Sequence, residues 1–134
     1  MKRKNYSVSE AEMEILRVLW ERGPSTAKQV REHLPRRDDP AYSTVITLLQ
    51  RMEAKGSVGH EKSGQGKAFV FHTLLKPEQV RKQAVRSLVK RYFENDPIPV
   101  FAALVESKKL SGDEIRQLQD MLDDITRQQS EKPN

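Results

Sequence analysis

The stretch from Ala41 to His72, AYSTVITLLQRMEAKGSVGHEKSGQGKAFVFH, decides how the chain folds. Val45, Leu48, Leu49 and Met52 recur at i, i+3, i+4 and i+7, which lays one apolar stripe along a helix. The other faces carry Ser43, Thr44, Thr47, Gln50 and Arg51, short hydrogen-bonding groups and one cation. Gly56 follows Lys55 where such a helix would close in a left-handed cap. Val58 to Lys62 and Lys67 to Thr73 then suit a hairpin around Ser63-Gly64-Gln65-Gly66. A polar-faced helix followed by a basic-edged hairpin is the order of parts in a winged helix, and it points to DNA binding.

Upstream, Ser9 and Glu12 make a capping box that starts a first helix. Met13, Leu16, Leu19 and Trp20 follow at helical spacing, and Gly23-Pro24 ends it. Thr26 caps a second helix, Ala27 to Leu34, with Ala27, Val30 and Leu34 turned inward. The run Pro35 to Pro40 breaks it. Three helices before a hairpin make a winged helix-turn-helix, expected to occupy residues 1–75.

Downstream, Pro77 suits the first turn of a new helix. Its stripe is Val80, Ala84, Val85, Leu88, Val89, Tyr92 and Phe93; the cations Lys76, Arg81, Lys82, Arg86, Lys90 and Arg91 are assigned to the opposite side. Asn95 to Pro99 interrupts, and a short apolar helix runs from Val100 to Ser107. Ser111 and Glu114 form another capping box, opening a last helix that ends near Gln128. Three helices in fewer than 60 residues close no sufficient core alone, and a second copy is the simplest source of a partner surface. Residues 76–134 therefore read as a helical dimerisation domain. Its candidate contacts are Leu88, Tyr92, Val100, Phe101, Leu104, Ile115, Leu118, Leu122 and Ile125. The alternative is that these helices fold back onto the winged domain in a monomer. The fold class expected is mainly α with a small β-hairpin.

The 134 residues fit one medium domain or two small ones, and 36% apolar content is poor in core-forming residues. With no cysteine there is no disulfide framework and no thiolate metal site, which suits a reducing cytoplasm. The basic start MKRKNYSVSEAE lacks the apolar region of a signal peptide. No apolar run approaches the roughly 20 residues of a membrane span, so a cytoplasmic protein without membrane insertion is expected. The net charge of +5 is unevenly spread: residues 1–75 carry +4, while acids outnumber bases from Tyr92 onward. A basic first half and an acidic tail fit a nucleic-acid binder with an added interaction region.

For base readout, Tyr42, Ser43, Thr44 and Thr47 occupy the N-terminal half of the decisive helix. Hydroxyls pair with either base type, and a Thr methyl can touch a thymine methyl. Ser43 and Thr44 also suit helix N-capping. Arg51, Lys55, Lys62 and Lys67, near a helix end and the wing tip, are candidate phosphate contacts, with Lys28 at the start of the second helix. Enzyme chemistry finds little support. His33, His60 and His72 lie in three elements without metal-ligand spacing, although His60 and His72 could face each other across the hairpin. Gly64-Gln65-Gly66 is too short for a phosphate loop, and no serine sits in a nucleophile elbow. No cofactor or metal is expected. The competing class is a winged-helix protein-interaction module without specific DNA binding.

Three segments resemble the penicillinase-repressor family of BlaI/MecI/CopY type: SEAEMEILRVLWERGPSTAKQV at Ser9 to Val30, AYSTVITLLQRMEAKG at Ala41 to Gly56, and KKLSGDEIRQLQDMLD at Lys108 to Asp123. The resemblance implies a homodimeric transcriptional repressor on dyad-symmetric operator DNA, often beside a membrane-bound metallopeptidase sensor. It also implies relief of repression, in some members, by cleavage within the dimerisation domain. Aligned through Lys109-Leu110-Ser111, the resemblance puts that bond within Ala102 to Val105, with Ala103–Leu104 as the best match. Cleaved members tend to carry Asn–Phe there. Copper-responsive members carry a cysteine cluster that this chain lacks. The position before Thr47, often basic or polar in relatives, is Ile46.

Overall fold

The computed structural model describes residues 7–35, 39–64, 66 and 68–131. The first helix, α1 (Glu10–Arg22), starts on a complete capping box. The Ser9 N–H donates to Glu12 Oε1 at 3.0 Å, and the Glu12 N–H donates to Ser9 Oγ at 3.2 Å. Gly23 caps its C-terminus. A two-residue strand, β1 (Ser25–Thr26), comes next and was not foreseen, because two residues carry no periodicity. Helix α2 (Ala27–His33) is capped by Thr26 and Gln29 in the same reciprocal way, and Leu34 sits just past its end as the C-cap.

Helix α3 (Tyr42–Lys55) closes on Gly56 at φ 85° and ψ 13°, a left-handed turn in which any other side chain would be strained. Its N-cap is Ala41, with no side-chain hydrogen bond. Ser43 and Thr44 therefore do not cap the helix; both lie inside its first turn. Strands β2 (Val58–Lys62) and β3 (Phe69–Thr73) pair antiparallel, with β3 starting two residues later than expected. The sheet order is β1-β3-β2, so the wing is anchored at its base by the short strand after α1. Side chains from α1, α2, α3, β2 and β3 meet in one core, in which Ile15, Leu16, Val30, Val45, Leu49 and Met52 are fully buried. Trp20 Nε1–H donates to the Leu75 carbonyl at 2.9 Å and ties α1 to the chain leaving the wing.

Helix α4 (Pro77–Phe93) follows. Leu75 and Val80 both belong to the core of the winged part. The division into two compact units, Met1–Leu88 and Val89–Asn134, accordingly falls inside α4, later than the expected limit at residue 75. Of the six cations assigned to its far side, Lys82, Arg86 and Lys90 form a row at i, i+4 and i+8. Arg81 and Arg91 are spaced with Ala84 and Leu88, and Arg81, Lys82, Arg86, Lys90 and Arg91 are all exposed. Glu94 and Asn95 adopt positive φ (51° and 63°) and stop the helix.

Helix α5 (Pro97–Ser107) begins three residues earlier than expected, because Pro97 fits its first position and Asp96 accepts from the Ile98 N–H at 3.0 Å. Helix α6 (Gly112–Glu131) opens on the Ser111–Glu114 capping box and runs past Gln128. Neither α5 nor α6 contains a buried residue. No helix among the described residues is long and apolar enough to cross a membrane.

Candidate nucleic-acid interface

Helix α3 divides its residues sharply between core and solvent. Val45, Leu49 and Met52 are 0% exposed, while Tyr42, Ser43, Thr44, Thr47, Gln50 and Arg51 are all exposed. Opposite the buried stripe, Ser43, Thr47 and Gln50 stand at i, i+4 and i+7 and share one outward face. The Thr47 hydroxyl donates to the Ser43 carbonyl at 3.0 Å. Its proton is thus committed, and the side chain offers an acceptor oxygen and a methyl group to a base edge. Gln50 was legible as part of the polar face but was not picked out as a reader. Its amide can pair both edge atoms of adenine, which the hydroxyls beside it cannot do. Ile46 packs partly against the core, which explains an apolar residue beside the reading face.

The uncapped start of α3 leaves its first-turn N–H groups without a side-chain acceptor, an arrangement suited to a phosphate oxygen. Lys28 on α2 and Lys62 at the end of β2 are exposed on the same compact unit. Lys67 lies outside the described residues. Lys55 is different from the other candidates. Its Nζ sits 2.9 Å from both Glu12 carboxylate oxygens, with side-chain exposures of 22% for Lys55 and 4% for Glu12. Lys55 is therefore an internal tie between α1 and the end of α3 and leaves the phosphate-contact set. Burial pushes the Glu12 carboxyl up, but the Ser9 backbone N–H, the Lys55 ammonium and the Ser9 hydroxyl together hold it below the ordinary range.

His60 and His72 do not face each other. The register pairs His60 with Phe71 and His72 with Gly59. A Cβ on Gly59 would stand 3.0 Å from His72 Nε2, so a larger residue there would require the imidazole to shift by a few tenths of an ångström. His60 instead contacts Glu53 of α3 through Nδ1, and its ring packs against Phe69 and Phe71 at 4.5 and 5.6 Å. This contact links the recognition helix to the wing. Among the described residues, no group of three His, Asp or Glu side chains could hold a metal ion.

In the second unit the candidate dimer contacts are surface residues. Tyr92 (70%), Phe101, Leu104, Ile115, Leu122 and Ile125 are exposed, and Val100 and Leu118 are half-buried. Leu88, at the end of the first unit, is exposed too. Ile98, Val105 and Met121 are exposed large apolar groups that the sequence set omitted.

A helix-turn-helix carried on a three-helix core, with a β-hairpin wing behind α3, is a winged-helix fold. The penicillinase repressor family pattern matches residues 8–124, and the chain belongs to that family. It is 25% identical over 122 residues to the methicillin resistance regulatory protein MecI of Staphylococcus aureus (strain N315), covering 91% of this chain and 98% of that one. It is 25% identical over 117 residues to the penicillinase repressor of Bacillus licheniformis, covering 87% and 90%. The fold is shared with the crystal structure of transcriptional regulator Tm0710 from Thermotoga maritima, at a TM-score of 0.51 and 21% identity over 93% of this chain and 81% of that one. These relatives place the chain among transcriptional repressors and not among enzymes.

Proposed function

We propose that the protein is a cytoplasmic, sequence-specific DNA-binding repressor that acts as a homodimer on a dyad-symmetric operator. The observation that carries this reading is the exposed polar face of α3, held rigidly by a stripe that is wholly buried. Ser43, Thr47 and Gln50 read bases in the major groove, Tyr42 and Thr44 flank them, and Arg51, Lys28 and Lys62 contact phosphates. The unburied apolar side chains of α5 and α6 support pairing with a second copy through Leu104, Ile115, Leu122 and their neighbours. Two linked heads raise affinity for a two-fold site far above that of one head.

The reading extends to relief of repression by a membrane-bound metallopeptidase sensor system that cuts between Ala103 and Leu104. Both residues are exposed inside α5, so cleavage requires that helix to open locally.

Fluorescence anisotropy against the duplex upstream of the gene, and against a scrambled duplex, tests the reading at two salt concentrations. A preference for the promoter near a thousandfold, weakening with salt, is the expected result. Equal binding to both duplexes, or none, would overturn it and leave a protein-docking winged helix in its place.

A further inference from the structure

The exposed row Lys82, Arg86 and Lys90 on α4 has no role in the interface described above. Successive members are like charges at i and i+4, a spacing that destabilises an isolated helix. Four cations elsewhere are ion-paired, Lys55 with Glu12, Arg31 with Asp39, Lys108 with Glu114 and Arg127 with Asp124, whereas exposed cations such as Lys28, Arg51 and Lys62 are not, among the described residues. None of the three α4 cations makes an ion pair among the described residues. Glu78 begins the same row four residues before Lys82, yet it does not bond to it.

We propose that this row is a second DNA contact, a ridge that lies along the phosphate backbone and adds sequence-independent affinity. The proposal rests on the reading that the chain binds duplex DNA. Three features favour a polyanionic duplex as the occupant. Each step of four residues along a helix advances about 6 Å, so Lys82 and Arg86 of the first unit present charges at a spacing suited to an evenly charged backbone, and Lys90 follows at the same step. Gln79 and Gln83, whose amides can donate to phosphate oxygens, border the row on one side, and half-buried Val89 and Phe93 border it on the other. Lys82 and Arg86 belong to the same compact unit as α3 and are carried with the recognition helix. An anionic membrane is the competing polyanion, since Val85, Leu88 and Tyr92 give α4 an exposed apolar side as well.

The test uses the full chain with Lys82→Gln, Arg86→Gln and Lys90→Gln combined. A control removes the same charge from the second unit through Lys109→Gln, Arg116→Gln and Arg127→Gln. Affinity for the promoter and scrambled duplexes is measured over a series of salt concentrations. Each phosphate contact contributes roughly 0.9 to the slope of log affinity against log salt. The ridge variant should lose about 2 or more from that slope per protomer on both duplexes, while the promoter preference stays and the control slope moves little. Removing like charges should leave its melting temperature equal to or above the parent's.

An unchanged slope in the ridge variant, with the parent still binding DNA, would overturn the ridge and leave the repressor reading standing. Equal losses in variant and control would reduce the effect to net charge and also overturn it. Binding of the parent to phosphatidylserine vesicles, lost in the ridge variant while DNA affinity is kept, would assign the row to membranes instead. A parent that binds no duplex would bring down the repressor reading and the ridge together.

Discussion

Glu12 shows how one side chain can serve two structures at once. It completes the cap of α1 and also receives Lys55 from the far end of α3. The two partners are unequally placed, since the Glu12 side chain is 4% exposed and that of Lys55 22%. Lys55→Met strands a buried carboxylate and should cost about 3 kcal/mol. Glu12→Gln keeps the cap and lets the ammonium swing to water, so it should cost about 1 kcal/mol. Urea unfolding at one protomer concentration checks the asymmetry; equal losses would contradict it. The sign with pH follows from the lowered Glu12 carboxyl. Its contribution is complete above the ordinary carboxylate range and disappears as pH falls through the lower folded value. The stability gap between parent and Glu12→Gln should therefore narrow below that range.

At the scale of elements, the proposed base readout by α3 and the proposed phosphate contact by the wing lead to separable outcomes. The face Ser43, Thr47 and Gln50 is aimed by three buried residues of the same helix, which is what base readout requires. Gln50→Ala should relax preference at one base pair of each half-site by about 1–3 kcal/mol. Thr47→Ala should loosen preference as well. Lys62→Ala should weaken binding to every sequence alike and make the salt slope shallower by roughly 0.9 per protomer. Titrations against promoter and scrambled duplexes separate these outcomes, and matching behaviour of Gln50→Ala and Lys62→Ala would refute the division. The contact of His60 with Glu53 bears on this too, because it couples the wing to the end of α3.

For the whole molecule, the decisive contrast is between two kinds of unit. The winged part encloses a core of 0–8% exposed apolar residues, whereas α5 and α6 contain no buried residue. A helical unit with no interior of its own gains stability from association, so oligomeric state and operator affinity should change together. Leu122→Asp places a charge in the middle of the exposed face of α6. Sedimentation velocity should then show a monomer, and operator affinity should fall by a hundredfold or more, on the order of the avidity lost with the second head. A dimeric Leu122→Asp protein with undiminished affinity would rule out this surface as the interface.

The sequence by itself determined the number and order of the helices, most of their starts, the two strands of the wing and the polar face of α3, while the start of α5 and the end of α6 fell outside the expected limits. Caps such as Ser9–Glu12, Thr26–Gln29 and Ser111–Glu114 join residues three apart, and the stripe of α3 repeats within two turns, so both are readable in a short window. Only the tertiary structure decided the rest. Strand β1 exists because β3 offers it an edge, not because Ser25-Thr26 prefers to be a strand. Lys55 looked like any basic helix end until folding brought Glu12, 43 residues away, against it. The winged core reaches into α4 because Val80 is buried there, a fact of packing invisible in the helix's own periodicity. Local hydrogen bonds and repeats are written in neighbouring residues; burial and long-range pairing depend on what the rest of the chain places alongside.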